Sequence, residues 1–246
     1  WRMGYAGDTF NTLWAIRALT PESMPADYVS AFGDDPFSLQ QKAFFAENGI
    51  GTATSPVIPG RRPGLYAITL TGAERSFTYW RTDSAARLLA DDRAALEKSL
   101  QDRMLIYFSG ITLAILEADA RKTLLSVIRE ARQSGSRVAF DPNYRPRLWT
   151  AQDAARAAFD EALALSDIAL PTFPDEEALY GDADPQATVR RMRDAGVGEV
   201  VVKNGADPVF LFADGKETVL GAEPVANPID TTGAGDSFNG AYLAGR

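Results

Sequence analysis

The chain has 246 residues, 46% of them hydrophobic, with a formal charge of −8. That suffices for one large α/β domain or two small ones, and the acidic balance argues against nucleic acid as a main partner, because phosphate backbones are bound by basic surfaces. Cysteine and histidine are both absent, which excludes disulfides, Cys or His zinc sites, thiol nucleophiles and a Ser-His-Asp triad and leaves acid–base work to Asp, Glu, Lys or Tyr.

No run has the length and apolarity of a membrane span and no signal peptide is visible, so the expectation is a cytoplasmic protein with no membrane partner. Residues 3–19, MGYAGDTFNTLWAIRAL, read as a Gly-Asp turn running into a helix with Leu13, Trp14, Ile16 and Leu19 on its apolar face. Asp8 and Asn11 stand at its start, where each can cap the helix or meet a ligand. Residues 28–32 read as a short strand and 38–48 as a helix ending near Gly49 and Gly51, one β-α unit of a parallel sheet. Across residues 52–81 the character changes. TATSPVI, GLYAITLT and RSFTYWR are strand-like runs parted by Pro-Gly and Thr-Gly-Ala-Glu turns, which predicts an antiparallel flap. Alternation puts Tyr79 and Arg81 on one face of their strand, with Tyr66 in the neighbouring run.

Residues 84–100 read as a charged amphipathic helix, 104–110 as a buried strand, and 113 to about 134 as a helix closed by Gly135. A strand at 137–140 runs into DPNYRPRLW. Asp141, Asn143 and Arg145 therefore fall just past the C-terminal end of a parallel strand, where open α/β sheets place ligands, although Asp-Pro-Asn is also a good turn in its own right. Arg145, and less so Arg147, offers a fixed donor fork for a carboxylate or a phosphoryl group. A helix at 151–165 and a strand at 168–170 lead to PTFPDEEALYGD, where Asp175, Glu176 and Glu177 either make an acidic first helical turn or serve a cation. A helix at 186–195 precedes a strand at 199–202 that runs into Lys203, Asn204 and Gly205. Residues 209–213 and 218–220 then form a hairpin around Asp214 and Gly215.

The last stretch, DTTGAGDSFNGAYLAGR, is a glycine turn opening a helix on which Phe238, Ala241 and Tyr242 recur at helical spacing. Gly233 and Gly235 put no side chain in the way of an approaching anion. The amides of Ala234, Gly235 and Asp236 and the positive helix end can therefore face a phosphate. Asp236 is a poor partner for phosphate and suits removal of a proton from an attacking hydroxyl, the alternative being a simple helix cap. There is no G-x-x-x-x-G-K-[ST] loop and no G-x-G-x-x-G fingerprint, and a chain without histidine has no H-R-D loop.

DTTGAGDSFNGAYLAG resembles the signature of the ribokinase-like (PfkB) carbohydrate kinases, and MGYAGDTFN resembles that family's first signature. PGLYAI, FTYWR, YFSGITLAIL and FDPNYRPRLW are similar to strings of its 2-keto-3-deoxygluconate kinase branch. The resemblance implies an α/β fold: a three-layer αβα sandwich with a mostly parallel sheet, one kinase domain over residues 1–246, and a small β-sheet lid at about 52–82 covering the sugar site. It implies ATP-dependent phosphorylation of 2-keto-3-deoxy-D-gluconate at the 6-hydroxyl. A PfkB kinase for fructose, ribose or another ketodeoxy acid is the nearest rival, and a non-catalytic sugar-binding relative is a more distant one.

Carried over residue by residue, the resemblance makes Asp236 the base and Gly233, Ala234 and Gly235 the anion hole. Gly7, Asp8, Asn11, Tyr66, Tyr79, Arg81 and Arg145 would contact the sugar acid, while Asn143, Lys203, Gly205, Gly233 and Gly235 would lie on the ATP side. The family's Asn-x-x-Glu motif, which organises magnesium through water, is incomplete because Thr172 stands in place of Asn, and Glu177 is the acid assigned to it. ATP, Mg2+ and a monovalent cation such as K+ are the cofactors implied, and lid strands with an exposed edge suggest a homo-oligomer. Because the chain opens on Trp1 and its final helix breaks off at Arg246, a preceding strand and further helices are expected outside these residues. The join EPVANPIDTT also reads as short for the family.

Overall fold

The structure is a computed structural model that describes residues 3–71, 74–223, 225–226 and 230–246. Helix α1 (Asp8–Leu19) has no side-chain cap, because its N-cap residue is Gly7, whereas α2 (Pro36–Glu47) is started by Asp35, which accepts from the amides of Phe37 and Ser38, with Pro36 in the first turn. Strands β1 (Leu65–Thr71) and β2 (Glu74–Trp80) pair antiparallel as a separate two-stranded sheet; the turn residues 72–73 lie outside the described residues. Then come α3 (Arg93–Leu100), β3 (Leu105–Ser109), α4 (Gly110–Ile115), α5 (Ala118–Gln133), β4 (Arg137–Asp141), α6 (Gln152–Ala164) and β5 (Ile168–Ala169). The chain continues through α7 (Phe173–Tyr180), α8 (Pro185–Asp194), β6 (Glu199–Val202), β7 (Val209–Ala213), β8 (Lys216–Leu220) and α9 (Ala234–Ala244).

Strands β3 to β8 lie side by side in chain order, parallel from β3 to β6 and antiparallel from β6 to β8. Period-two alternation sends their side chains into two cores. Val138, Phe140, Val200 and Val202 join the larger cluster, which also holds Leu124 and Ile128 of α5, Phe159 of α6 and Met192 of α8. Ala139, Ile168 and Val201 point to the opposite face and meet Leu243 of α9 and Ile16 of α1. The result is the expected αβα layering. A third cluster, Phe10, Phe32, Phe45 and Ile50, ties α1 to α2.

Helices α1 and α9 lie almost backbone to backbone. A Cβ added at Gly240 would sit 2.5 Å from both the Thr12 carbonyl and the Ala15 Cβ, so the seam closes only with glycine there.

Some local expectations give way to tertiary structure. Residues 28–32 form no strand; they meet the 51–57 segment through single bridges, Asp27 with Gly51 and Phe32 with Val57, and the Ser55 hydroxyl takes the Ser30 amide and donates to the Tyr28 carbonyl in place of a ladder. The TATSPVI run is likewise irregular, leaving two flap strands. The predicted helix at 84–100 divides into a 3-10 turn, Ala85–Leu88, and α3, because Asp92 caps the Ala95 amide and restarts the helix. The helix predicted from 113 starts at Gly110, where Ser109 makes a capping box with Thr112, and breaks between α4 and α5. Asp214 and Gly215 both adopt positive φ, as the tight β7–β8 turn requires.

Candidate active site

The glycine turn enters α9 through Gly233, whose φ of +72° is open to glycine at no steric cost. The turn is tied by bonds from the Ala234 amide to the Thr231 carbonyl and from the Ser237 amide to the Gly233 carbonyl, at 3.2 and 2.8 Å. Ala234 and Gly235 remain exposed, so the positive end of a three-turn helix meets open space. Residues 224 and 227–229 of the preceding join lie outside the described residues. Asp236, half-buried, accepts a 2.8 Å hydrogen bond from Asn11 Nδ2 on α1. Burial, together with the charges of Asp8 and Asp141, outweighs that bond and the Lys203 ammonium and raises the carboxyl to about 6. At neutral pH it is ionised and still a competent base.

Asp8 lines the side of this cleft contributed by α1. Its Oδ2 accepts from the Ser109 hydroxyl and, at 3.1 Å, from Asn143 Nδ2; burial raises its pKa. Asn143 reaches Asp8 because its backbone is held at φ +36° by a 3.0 Å bond from its own amide to Asp141 Oδ1. Tyr28, its hydroxyl also raised by burial, lies within reach of the Asp8 charge. Gly7 precedes α1, and its carbonyl takes the Asn11 amide at 2.7 Å.

On the flap, Tyr66 and Tyr79 are cross-strand partners with rings 6.0 Å apart, and the Arg81 guanidinium lies 4.4 Å over the Tyr79 ring. The predicted shared face is present. Tyr66, its hydroxyl raised mainly by burial, also lies within reach of the Asp236 charge.

The opposite side of the cleft is built on β4, β6 and α7. Lys203 Nζ donates to Asp141 Oδ2 at 3.0 Å and to Asn239 Oδ1 at 2.8 Å, and Asn239 Nδ2 returns a 2.7 Å bond to the same carboxylate oxygen. Gly205 follows on a turn closed by the Asp207 amide and the Asn204 carbonyl. Arg145 pairs with Asp175 at 3.4 Å, and Asp175, its pKa raised by burial, also feels Asp141 and Lys203. Arg147 is exposed.

Two of the sequence assignments meet protein partners that the sequence did not name. Asn143, expected beside ATP, joins Asp8. Arg145, expected on the sugar acid, pairs with Asp175 and also donates to the Tyr144 carbonyl. Glu177 is exposed, two residues and so about 200° round α7 from Asp175, which takes the inward position. Glu176, between them, is buried against Arg191 at 2.7 Å. Counting three residues from Thr172, as Asn-x-x-Glu does, reaches Asp175, a signal the sequence held. Asp141 and Asn239 lie inside the quoted strings. Ser109 likewise lies inside a quoted string, whereas Tyr28 lies in none and meets the site only through its long-range approach to Asp8.

The family model for pfkB family carbohydrate kinases matches residues 1–246. The 2-dehydro-3-deoxygluconokinase of Dickeya dadantii is 40% identical over 251 residues, 99% of this chain and 81% of that protein. The protein of the same name from Escherichia coli K12 is 40% identical over 252 residues, covering 100% and 82%. Among solved structures, the ATP-bound fructokinase of Xylella fastidiosa superposes with a TM-score of 0.83 at 23% identity, covering 98% of this chain and 73% of that one. Aminoimidazole riboside kinase of Salmonella enterica gives 0.80 at 24%, covering 97% and 75%. The structural neighbours share the fold, while the sequence matches run the length of the chain with its glycine turn, and on these grounds the chain belongs to the pfkB family of carbohydrate kinases.

Proposed function

We propose that this chain transfers the γ-phosphoryl group of ATP to the 6-hydroxyl of 2-keto-3-deoxy-D-gluconate, giving the 6-phosphate and ADP. The observation that carries the reading is the Asp236 carboxylate, fixed by Asn11 at the mouth of an exposed glycine turn on a helix N-terminus. An acceptor hydroxyl lying between Asp8 and Asp236 gives its proton to Asp236 as its oxygen bonds to phosphorus. The bond from phosphorus to the bridging oxygen breaks, and ADP keeps that electron pair. The amides of the turn face the equatorial oxygens as charge moves toward ADP. Arg145 and Lys203 add positive charge on the phosphate side. The acid of the sugar is matched by Arg81, with Tyr66 and Tyr79 beside it on the flap, and named relatives at 40% identity favour the same acceptor.

Asp175 suits magnesium held through water, since a single inward carboxylate near phosphates is the environment this ion accepts without a protein cage, and Mg2+ would neutralise and orient the β- and γ-phosphates. Among the described residues no helix is long and apolar enough to cross a membrane, and a reaction that consumes ATP suits the cytoplasm. On the flap face away from Tyr66, Leu65 and Trp80 are paired and 59% and 57% exposed, an apolar patch that a second copy would cover in a homo-oligomer. A coupled ADP-release assay over ketodeoxy acids, fructose and ribose tests the acceptor. Preference for the ketodeoxy acid, with phosphate on O6, is expected; faster turnover of a neutral sugar refutes the assignment. Exchange of K+ for Na+ in the same assay tests the monovalent ion.

A further inference from the structure

Beneath the glycine turn, side chains from β3, β4, β6 and α9 close a hydrogen-bonded ring. Besides its bonds to Lys203 and Asp141, Asn239 Nδ2 donates to the Tyr107 hydroxyl at 3.3 Å, and the Thr12 hydroxyl of α1 donates to that same oxygen at 3.3 Å. Asn239, Asp141 and Lys203 are 0%, 3% and 7% exposed. The phosphoryl transfer described above needs nothing of Asn239 itself. Yet every polar atom of its carboxamide is engaged, in the middle of an ion pair.

A carboxamide can offer an oxygen to a cation and an N–H to the counter-ion at the same time. A buried ion pair gains by attraction roughly what it loses by desolvation, so an added neutral partner contributes geometry more than strength. Here the geometry matters. An ammonium has three donors on a flexible stem; two are taken by Asp141 and Asn239, and the head comes to rest under the turn, where a Cβ built on Gly235 would lie 3.9 Å from Nζ. Asn239 sits three residues after Asp236, on the adjoining strip of α9, and the tight seat of Gly240 on α1 keeps that strip in register.

We propose that Asn239 is a positioning residue for phosphoryl transfer: it pins the Lys203 ammonium behind residues 233–235 so that a fixed positive charge stands ready as the bond to ADP breaks. This rests on the assignment of that turn as the phosphate site. A leucine at 239, of similar size, would free the ammonium to swing onto Asp141 alone. Asparagine supplies the second anchor.

The test is a cycle of wild type, Asn239→Leu, Lys203→Met and the double variant. Each is measured for kcat, for KM of both substrates, for affinity toward a non-hydrolysable ATP analogue with Mg2+, and for thermal midpoint. Asn239→Leu is expected to lower kcat by roughly 10- to 100-fold and to leave KM for the acceptor within about twofold. In the Lys203→Met background the same change costs less than about twofold, because its effect runs through the lysine. Losses that multiply, or an Asn239→Leu protein with wild-type kcat, overturn the proposal. Should the leucine variant fail to fold, Asn239→Ala completes the cycle. If wild type phosphorylates none of the acceptors, the functional reading fails, and the cycle is read in analogue affinity, where the same non-additivity is expected and additive losses overturn the proposal.

Discussion

Asn11 and Asp236 stand 225 positions apart in the chain and are joined by a 2.8 Å hydrogen bond from Nδ2 to Oδ2. The bond fixes the proposed base to the helix that also carries Asp8, so the proposed acceptor contact and proton removal share one seam. Asp236→Asn keeps the shape and removes the base. It is expected to lower kcat by roughly 10² to 10⁴ with KM for the acceptor little changed, as steady-state kinetics would show.

The pH dependence follows from the same carboxyl. Because Asp236 titrates at about 6 and must be ionised to act, kcat/KM falls about tenfold per pH unit below that value. Asn11→Ala removes a bond that favours the ionised form, so the acid limb moves to higher pH; a limb that stays put separates Asn11 from the base.

Stability should respond in the opposite sense. The carboxyl ionises at 3.8 when unfolded and at about 6 when folded, so between those values the native state holds the extra proton and stability falls as pH rises. Above 6 the native protein carries the full cost of the buried charge. Asp236→Asn is therefore expected to melt higher than wild type at pH 7.5, by roughly 2–4 °C for each kcal/mol recovered, and to lose that advantage below pH ~4. Calorimetry at the two pH values checks the sign.

Arg81 lies over the Tyr79 ring on the flap, beside Tyr66. Arg81→Ala is expected to raise KM for an acid sugar by roughly ten- to a hundredfold, the worth of a charge-assisted hydrogen bond, and to leave a neutral sugar within about threefold. Equal losses on both acceptors would detach the residue from carboxylate recognition.

The two acids of α7 give a discriminating pair. Asp175→Ala is expected to raise the Mg2+ concentration needed for half-maximal rate, while Glu177→Ala, exposed and on the far side of the helix, leaves it unchanged. Magnesium titrations of both variants decide between them.

What could be read in the sequence was what is local. The turn at residues 233–236 announces itself because two glycines, an acid and a helix start are contiguous, and the geometry that makes Asp236 useful is set within those few residues. The alternation of β4 and β6 is equally local, and so the layers were foreseeable. Asn143 and Arg145 stand two residues apart on one loop, yet Asn143 bonds to Asp8 and Arg145 to Asp175, partners distant in the chain that no pattern within the loop names. Residues 28–32 have strand-like composition but find only isolated bridges, since the Ser55 hydroxyl takes the Ser30 amide and donates to the Tyr28 carbonyl, interrupting the backbone pairing made on either side. Tyr28 meets the site only through its approach to Asp8, and no pattern within its own segment records that.

The close approach of Gly240 to Thr12 and Ala15 also has a bearing on how the enzyme is made. A ribosome releases α1, the flap and the Asp141 loop well before residues 233–239 emerge, so a nascent chain presents the acceptor wall of the cleft while still lacking the carboxylate that would use it. On the proposed mechanism, phosphoryl transfer is expected to require the late helix to be seated against the early one, so a message cut short before residue 233 is expected to yield a protein that turns over no ATP on its acceptor.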